Sequence, residues 1–258
     1  MDTFLEIWVW IHRLIGYPTA FVLGPLALLT FAGMRVHRRW GKLFVLAMMF
    51  LYASGTVFTF HHHPLGSLEF WRNITFNLAG IMTVMLGLAA ALQMTHDHED
   101  APRFRLAEWM FLAVLAASSL GMIGVGFKRF PMLVIGVIGV VIAWRSMDEL
   151  RQSPPEPGAL LRRHIRYMVA GYFYLLTLLS LLHLRDWPQA LRWLWPALIG
   201  VPVALALTGD WHRRWNLRRS QLTRWAVWAT VAVAMLFGAY ILVSVIAPAG
   251  ASAVRAGR

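Results

Sequence analysis

The sequence predicts an all-α integral membrane protein, a bundle of about eight transmembrane helices, and three observations lead to this fold class. Of the 258 residues, 59% are hydrophobic and only 14% are charged, whereas a soluble domain is about half apolar and a quarter charged. The apolar residues come in long runs, and about 20 such residues cross the hydrocarbon of a bilayer. Because lipid offers the backbone no hydrogen-bond partner, these runs are expected to be helices.

The predicted spans follow one another with short connections. They cover residues 5–33, 41–60, 74–95, 107–127, 130–147, 165–185, 190–209 and 223–246. The fifth span is short, and seven spans is the alternative count. Residues 1–247 are taken as one transmembrane domain, and the small, polar residues 248–258 as a disordered tail. The N-terminal residues include Asp2 and Glu6 and no basic stretch, so no cleaved signal peptide is expected.

The distribution of basic residues predicts how the bundle is oriented. Lysine and arginine concentrate in the loops after spans 1, 5 and 7, at Arg35, Arg38, Arg39, Lys42, Arg151, Arg162, Arg163, Arg166, Arg213, Arg214, Arg218, Arg219 and Arg224. The alternate loops hold fewer, at Arg72, Lys128, Arg129, Arg185 and Arg192. Because strongly basic loops stay in the cytoplasm, the N-terminus and the C-terminus are both expected outside, in a multi-pass protein of the bacterial inner membrane.

The net charge and the absence of cysteine limit the binding partners and the kinds of metal or redox site that are possible. The formal net charge is +12, but the basic residues lie in short loops beside apolar runs, which indicates contact with anionic lipid headgroups rather than with nucleic acid. Other membrane subunits are expected as partners, although the sequence assigns no interface to them. The chain has no cysteine, which excludes disulfides, thiolate metal sites, iron–sulfur clusters and covalently attached c-type haem.

Histidine is the most informative residue type in the chain. The chain has ten histidines. Ionisable side chains in or beside membrane spans are energetically costly, so each such residue is a candidate for a functional role. On the predicted topology they separate into two layers. The outer layer holds His12, His61, His62, His63 and His183, and the inner layer holds His37, His96, His98, His164 and His212.

These two layers favour a transmembrane electron carrier that binds b-type haem. Two imidazoles on facing helices can hold haem iron, and two haems at different depths can pass an electron across a bilayer. The outer ligands would come from His12, His62 and His183, and the inner pair would be His37 and His164. Cations beside these histidines would neutralise the haem propionates or bind lipid phosphate. They are Arg13, Arg38 and Arg166.

Two other interpretations of the histidines stay open. In the first, they are interfacial anchors of a cofactor-free scaffold, assembly factor or lipid-handling protein. In the second, His61, His62 and His63 hold a transition metal at the outer face of a membrane enzyme. No nucleotide-binding, metalloprotease or serine-hydrolase motif assigns an enzymatic reaction to the chain.

Some of these histidines belong to two longer motifs. The first runs from His12 through Gly16 and Gly24-Pro25 to His37-Arg38 and Gly41-Lys42-Leu43-Phe44-Val45, and the second is Arg163-His164-Ile165-Arg166-Tyr167-Met168 with Tyr172. Over residues 1–60 and 160–185 the chain resembles a bacterial family of predicted membrane proteins of unknown function, domain family 2306. The resemblance implies a helical membrane bundle with His12, His37 and His164 as motif positions, and it implies no activity. The third span departs from the family in having no histidine. A looser, architectural likeness is to two-haem transmembrane b-type cytochromes.

Overall fold

The described part of the chain is helical throughout. A computed structural model describes residues 3–30, 34–65, 67–94, 101–126, 130–151, 158–208, 225–241 and 243. The helices are α1 (Thr3–Pro18), α2 (Gly24–Leu29), α3 (Met34–His62), α4 (Leu68–Gln93), α5 (Ala101–Gly126), α6 (Phe130–Arg151), α7 (Ala159–His183), α8 (Gln189–Thr208) and α9 (Trp225–Ile241). A π-helical turn, Thr19–Leu23, joins α1 to α2. The prediction of an all-α fold is confirmed.

Six of these helices, α3 to α8, are long and apolar enough to cross a membrane. They correspond to the second to seventh predicted spans, so the multi-pass membrane class is confirmed. Several helices begin before the predicted span does, as α3 does at Met34 and α7 at Ala159. The reason is physical: hydropathy marks the hydrocarbon, whereas backbone hydrogen bonds carry the helix on into the polar interface.

The first predicted span, 5–33, is helical without interruption from Thr3 to Leu29, but its hydrogen-bond register changes, since α1 is followed by the π-helical turn and then by α2. Proline explains the change of register, because Pro25 has no N–H and its ring would clash with the carbonyl four residues earlier in an α-helix. The N–H of Gly24 bonds to the carbonyl of Thr19, five residues back, which is the π register.

The π register leaves a carbonyl that a distant side chain satisfies. In an α-helix the carbonyl of Ala20 would accept from the N–H of Gly24, which here is committed to Thr19. The hydroxyl of Tyr172 on α7 donates to Ala20 O at 2.8 Å. Gly24 makes room for this contact, since a Cβ there would overlap the ring of Tyr172. Residues from both sequence motifs therefore meet at one point.

Helices α4 and α7 form the inside of the bundle and pack closely on each other. Gly87 of α4 lies against Met168 and Tyr167, and Gly171 of α7 lies against Val84. Small residues of this kind let transmembrane backbones approach. Large apolar side chains on the outer helices remain exposed, for example Leu46, Met110 and Leu198, as expected for surfaces that face lipid.

Some sequence predictions lie outside the described residues. They include the tail 248–258 and the inner-layer histidines His96, His98 and His212. The last predicted span, 223–246, contains α9, which is a shorter apolar helix than the six above.

Candidate functional site

Two of the predicted inner-layer histidines lie side by side. His37 is in the first turn of α3, and His164 is in the second turn of α7. Their ring centroids are 6.1 Å apart, and the two ring planes are nearly perpendicular, at 88°. The structure thus brings together the inner pair that the sequence suggests, from helices more than 100 positions apart in the chain.

Each ring of this pair is held by a backbone carbonyl of another helix. His37 Nδ1 lies 2.9 Å from Ala27 O, and His164 Nδ1 lies 2.9 Å from Gly87 O. A carbonyl only accepts, so both Nδ1 atoms carry hydrogen, and in the neutral imidazole the lone pair is then on Nε2. Metal-binding histidines are commonly oriented in this way, through the nitrogen that does not bind the metal.

Local structure explains why these carbonyls are available. Ala27 lies in the last turn of the short helix α2, where carbonyls have no intrahelical donor. Gly87 lies where α4 and α7 approach most closely, beside Tyr167 and Met168. The absence of a side chain at Gly87 brings α7 close enough for the His164 ring to reach the carbonyl.

His12, in the predicted outer layer, is also bonded through Nδ1, but to a side chain. Its Nδ1 lies 2.7 Å from Ser54 Oγ. The hydroxyl of Ser54 also lies 2.7 Å from the carbonyl of Phe50. When Ser54 donates to this carbonyl, its oxygen accepts from His12 Nδ1 and the lone pair of a neutral His12 is on Nε2.

The three outer candidates for haem ligation are not brought together as a pair. The ring of Phe58 lies between His12 and His62, with centroid distances of 5.3 Å and 6.4 Å. His183 is bonded through Nε2 to the hydroxyl of Tyr17 at 2.9 Å. Among the described residues, no hydrogen bond or ring contact joins any two of these three imidazoles.

The predicted metal site at His61, His62 and His63 is not assembled either. The rings of His61 and His62 are in edge contact, with centroids 5.1 Å apart, and α3 runs on to His62. Neighbouring side chains on a helix point about 100° apart. In the part of the chain described, no group of three or more His, Cys, Asp or Glu side chains is gathered closely enough to hold a metal ion.

The two candidate layers lie near opposite ends of the bundle. His164 and His183 belong to the same helix and are 19 residues apart, which is about 28 Å at the helical rise of 1.5 Å per residue. His37 lies beside His164, and His12 contacts Phe58 near the other end of α3. The spacing is comparable to the thickness of the hydrocarbon layer.

The three arginines beside the histidines have different surroundings. Arg13 and Arg38 are exposed. Arg166 is paired instead with a carboxylate on α6, its Nη1 lying 2.9 Å from Glu149 Oε1. Glu149 Oε2 also accepts from Arg163 Nε at 3.1 Å, so one carboxylate bridges two guanidinium groups on α7.

Sequence reasoning missed this ion-pair network. Arg163 also lies 3.9 Å from Glu108 on α5, and the two side chains are only 5% and 2% exposed. The available signal was an acidic residue at the start of a predicted span, with arginines three positions apart at the start of another. Hydropathy alone does not match charges on different helices. Ser54 and Tyr17 were also missed, since a lone hydroxyl in an apolar run gives no pattern.

Comparison of the chain with protein-family models, with characterised proteins and with solved structures gives no match in any of the three.

Proposed function

We propose that this protein is a transmembrane electron carrier that binds haem b, and that His37 and His164 would together hold the inner haem. The observation that carries the proposal is the 6.1 Å separation of their ring centroids. Two imidazoles this close to each other could both reach one metal ion, since bonds from a metal to histidine nitrogen are about 2 Å long.

The donor chemistry fits haem b. Histidine is an established ligand of haem iron. Because both Nδ1 atoms donate to carbonyls, at Ala27 O and Gly87 O, Nε2 of each neutral ring carries the lone pair that would bind iron. With no cysteine in the chain, the haem would be held without covalent attachment. When bound, the haem would supply an iron that gains and loses one electron, at a potential set by its axial ligands and surroundings.

The chain's own residues would position and shield this group. The two backbone carbonyls fix the planes of the imidazoles, and such orienting partners usually increase metal affinity. Ile165 and Tyr167, the neighbours of His164 in the chain, are buried, which limits the access of water from within the bundle.

The outer haem of this proposal would have His12 as one ligand. His62 or His183 would supply the second only after a rearrangement, because Phe58 lies between His12 and His62, and Nε2 of His183 is bonded to Tyr17. His12, His37 and His164 are also the three motif positions of the resembled family, and membership of that family is part of the proposal.

The proposed topology has eight spans, with α1, the π-helical turn and α2 as the first and α9 as the last. Basic residues support the orientation, since Arg35, Arg38 and Arg39 lie at the start of α3, and Arg162 and Arg163 at the start of α7. This end would face the cytoplasm of a bacterium, with both termini outside. A cytoplasm-active reporter fused after Arg219 should be active, and a silent fusion would overturn the orientation.

A difference spectrum tests the haem proposal. Protein purified in detergent from cells supplied with haem should show a reduced-minus-oxidised b-type band. In His37→Asn and His164→Asn the amide keeps a donor near the position of Nδ1 but has no nitrogen at the position of Nε2. Both variants should lose most of the inner-haem band, whereas His61→Ala should keep it.

Two outcomes would contradict the proposal. A colourless wild-type preparation would favour the cofactor-free interpretation, in which the imidazoles only bind helix ends together. Full haem content in both asparagine variants would show that other residues hold the iron.

A further inference from the structure

A cavity separate from the histidine layers lies between α6, α7 and α8. Its volume is about 360 Å³, within the range of small-molecule sites. Helix α7 forms the floor through the buried side chains of Val169, Phe173 and Thr177. Val141 of α6 and Val201 of α8 line the sides and are partly exposed, so the cavity opens laterally toward lipid.

The cavity is apolar along its length and cationic at one end. Arg145 and Arg166 line it, each about two turns from the connection between α6 and α7. Glu149 is shared between Arg166 and the buried Arg163, so this carboxylate does not neutralise the whole cluster. Arg145 has no ion pair or hydrogen bond within the described residues, and its side chain is exposed.

The cavity is at least as long as one leaflet of a bilayer is thick. From Arg145 to Ile135 the lining follows ten residues of α6, which is about 15 Å. Along α8 it follows Thr208 to Trp193, or about 22 Å. The hydrocarbon of a bilayer is about 30 Å thick, so one leaflet is about 15 Å.

We propose that this cavity binds one acyl chain of an anionic phospholipid, with the phosphodiester headgroup on Arg145 and the free N–H groups of the Arg166 guanidinium. Three features support this assignment: an apolar channel at least one leaflet long, a lateral opening toward lipid, and cations at the end where a headgroup would lie. Arginine offers five N–H donors in a planar fork, so Arg166 can hold a phosphate oxygen while it remains paired with Glu149. The proposal does not depend on haem binding.

Photo-crosslinking tests the assignment. The full-length protein is placed in neutral vesicles of phosphatidylcholine that contain a trace of either phosphatidylglycerol or phosphatidylcholine carrying a diazirine on one acyl chain. After irradiation, mass spectrometry of peptides locates the label. Phosphatidylglycerol should label α6, α7 and α8 about fivefold more than phosphatidylcholine does, the factor expected from one cation close to an anionic headgroup.

Two variants and a control distinguish binding of the lipid headgroup from binding of the acyl chain. Arg145→Gln should remove the preference for phosphatidylglycerol. Val141→Trp should reduce labelling by both lipids, because the indole would fill part of the cavity. Val141 is 42% exposed, so the larger side chain should be accommodated without unfolding the bundle. Val114→Trp, at a residue of α5 that is 38% exposed and does not line the cavity, should change nothing.

Several results would overturn the proposal. Equal labelling by the two lipids in the wild type would remove the headgroup assignment, and label confined to α3 or α5 would remove the site. Stronger labelling by a diazirine fatty acid than by phosphatidylglycerol would assign the cavity to a free carboxylate instead. Each comparison is made with and without bound haem, so the lipid-labelling result can be interpreted even if the haem proposal fails.

Discussion

The imidazole of His37 lies beside that of His164, with a centroid separation of 6.1 Å and nearly perpendicular planes. Neither ring is positioned by its own helix alone. His37 is bonded to Ala27 of α2 and His164 to Gly87 of α4, so four helices determine the geometry of the pair. Such support from neighbouring helices is what a preorganised ligand pair requires.

Replacement of one proposed ligand by methionine should shift the haem potential rather than abolish binding. His164→Met should retain haem and raise its midpoint potential, because histidine–methionine ligation raises the potential relative to two histidines. Spectroelectrochemical titration of the purified variant measures the change. His61→Ala serves as the control. If imidazole and thioether give the same potential, His164 has only a structural role.

Loss of the Tyr172 hydroxyl should destabilise the bundle at the π-helical turn. Tyr172→Phe leaves the carbonyl of Ala20 without the donor that replaces its helical one. A buried acceptor left unsatisfied costs about 1–3 kcal/mol, so the thermal midpoint in detergent should fall. Tyr240→Phe, at a tyrosine that is 43% exposed, is the matched control. Equal midpoints for the two variants would mean that the hydrogen bond contributes little.

The stability of the bundle should depend more on Glu149, which bridges the ion pairs, than on its sequence neighbour Asp148. Glu149→Gln removes the charge that bridges Arg163 and Arg166 and leaves the buried Arg163 with the more distant Glu108. Because Glu149 is partly exposed, the loss is expected near the value for hydrogen bonds to charged groups, about 1.5–3 kcal/mol. The exposed Asp148 provides the comparison through Asp148→Asn. Thermal unfolding that ranks Asp148→Asn as the more damaging change would contradict the network's role.

The helical membrane class was predictable, because each long apolar run can cross a bilayer and must be helical to satisfy its backbone hydrogen bonds there. The π-helical turn at Thr19–Leu23 was not predicted, although Pro25 is visible in the sequence. The carbonyl that this turn leaves without a helical donor needs another donor, and the sequence does not show which residue supplies it. That donor, Tyr172, is 152 residues away from Ala20 in the chain.

The candidate site was predictable only in part, for a related reason. The positions of His37 and His164 at matched depths could be read from topology, and the structure brings these residues together. The outer histidines share a depth as well, yet Phe58 and Tyr17 separate them into different contacts. The depth of a residue in the membrane can be predicted from the sequence. The rotation of a helix about its axis, which decides what its side chains face, depends on packing. The pairing of Glu149 with two arginines on α7 likewise depends on packing.

The electron paramagnetic resonance spectrum of the oxidised, haem-loaded protein tests the central claim most directly. Two axial imidazoles in nearly perpendicular planes, as at His37 and His164, should give a low-spin signal of large anisotropy. That signal should be lost in both His37→Asn and His164→Asn and kept in His61→Ala. A wild-type spectrum that contains only high-spin iron would contradict ligation of one iron by this pair. So would a signal of large anisotropy that keeps its full intensity in both asparagine variants.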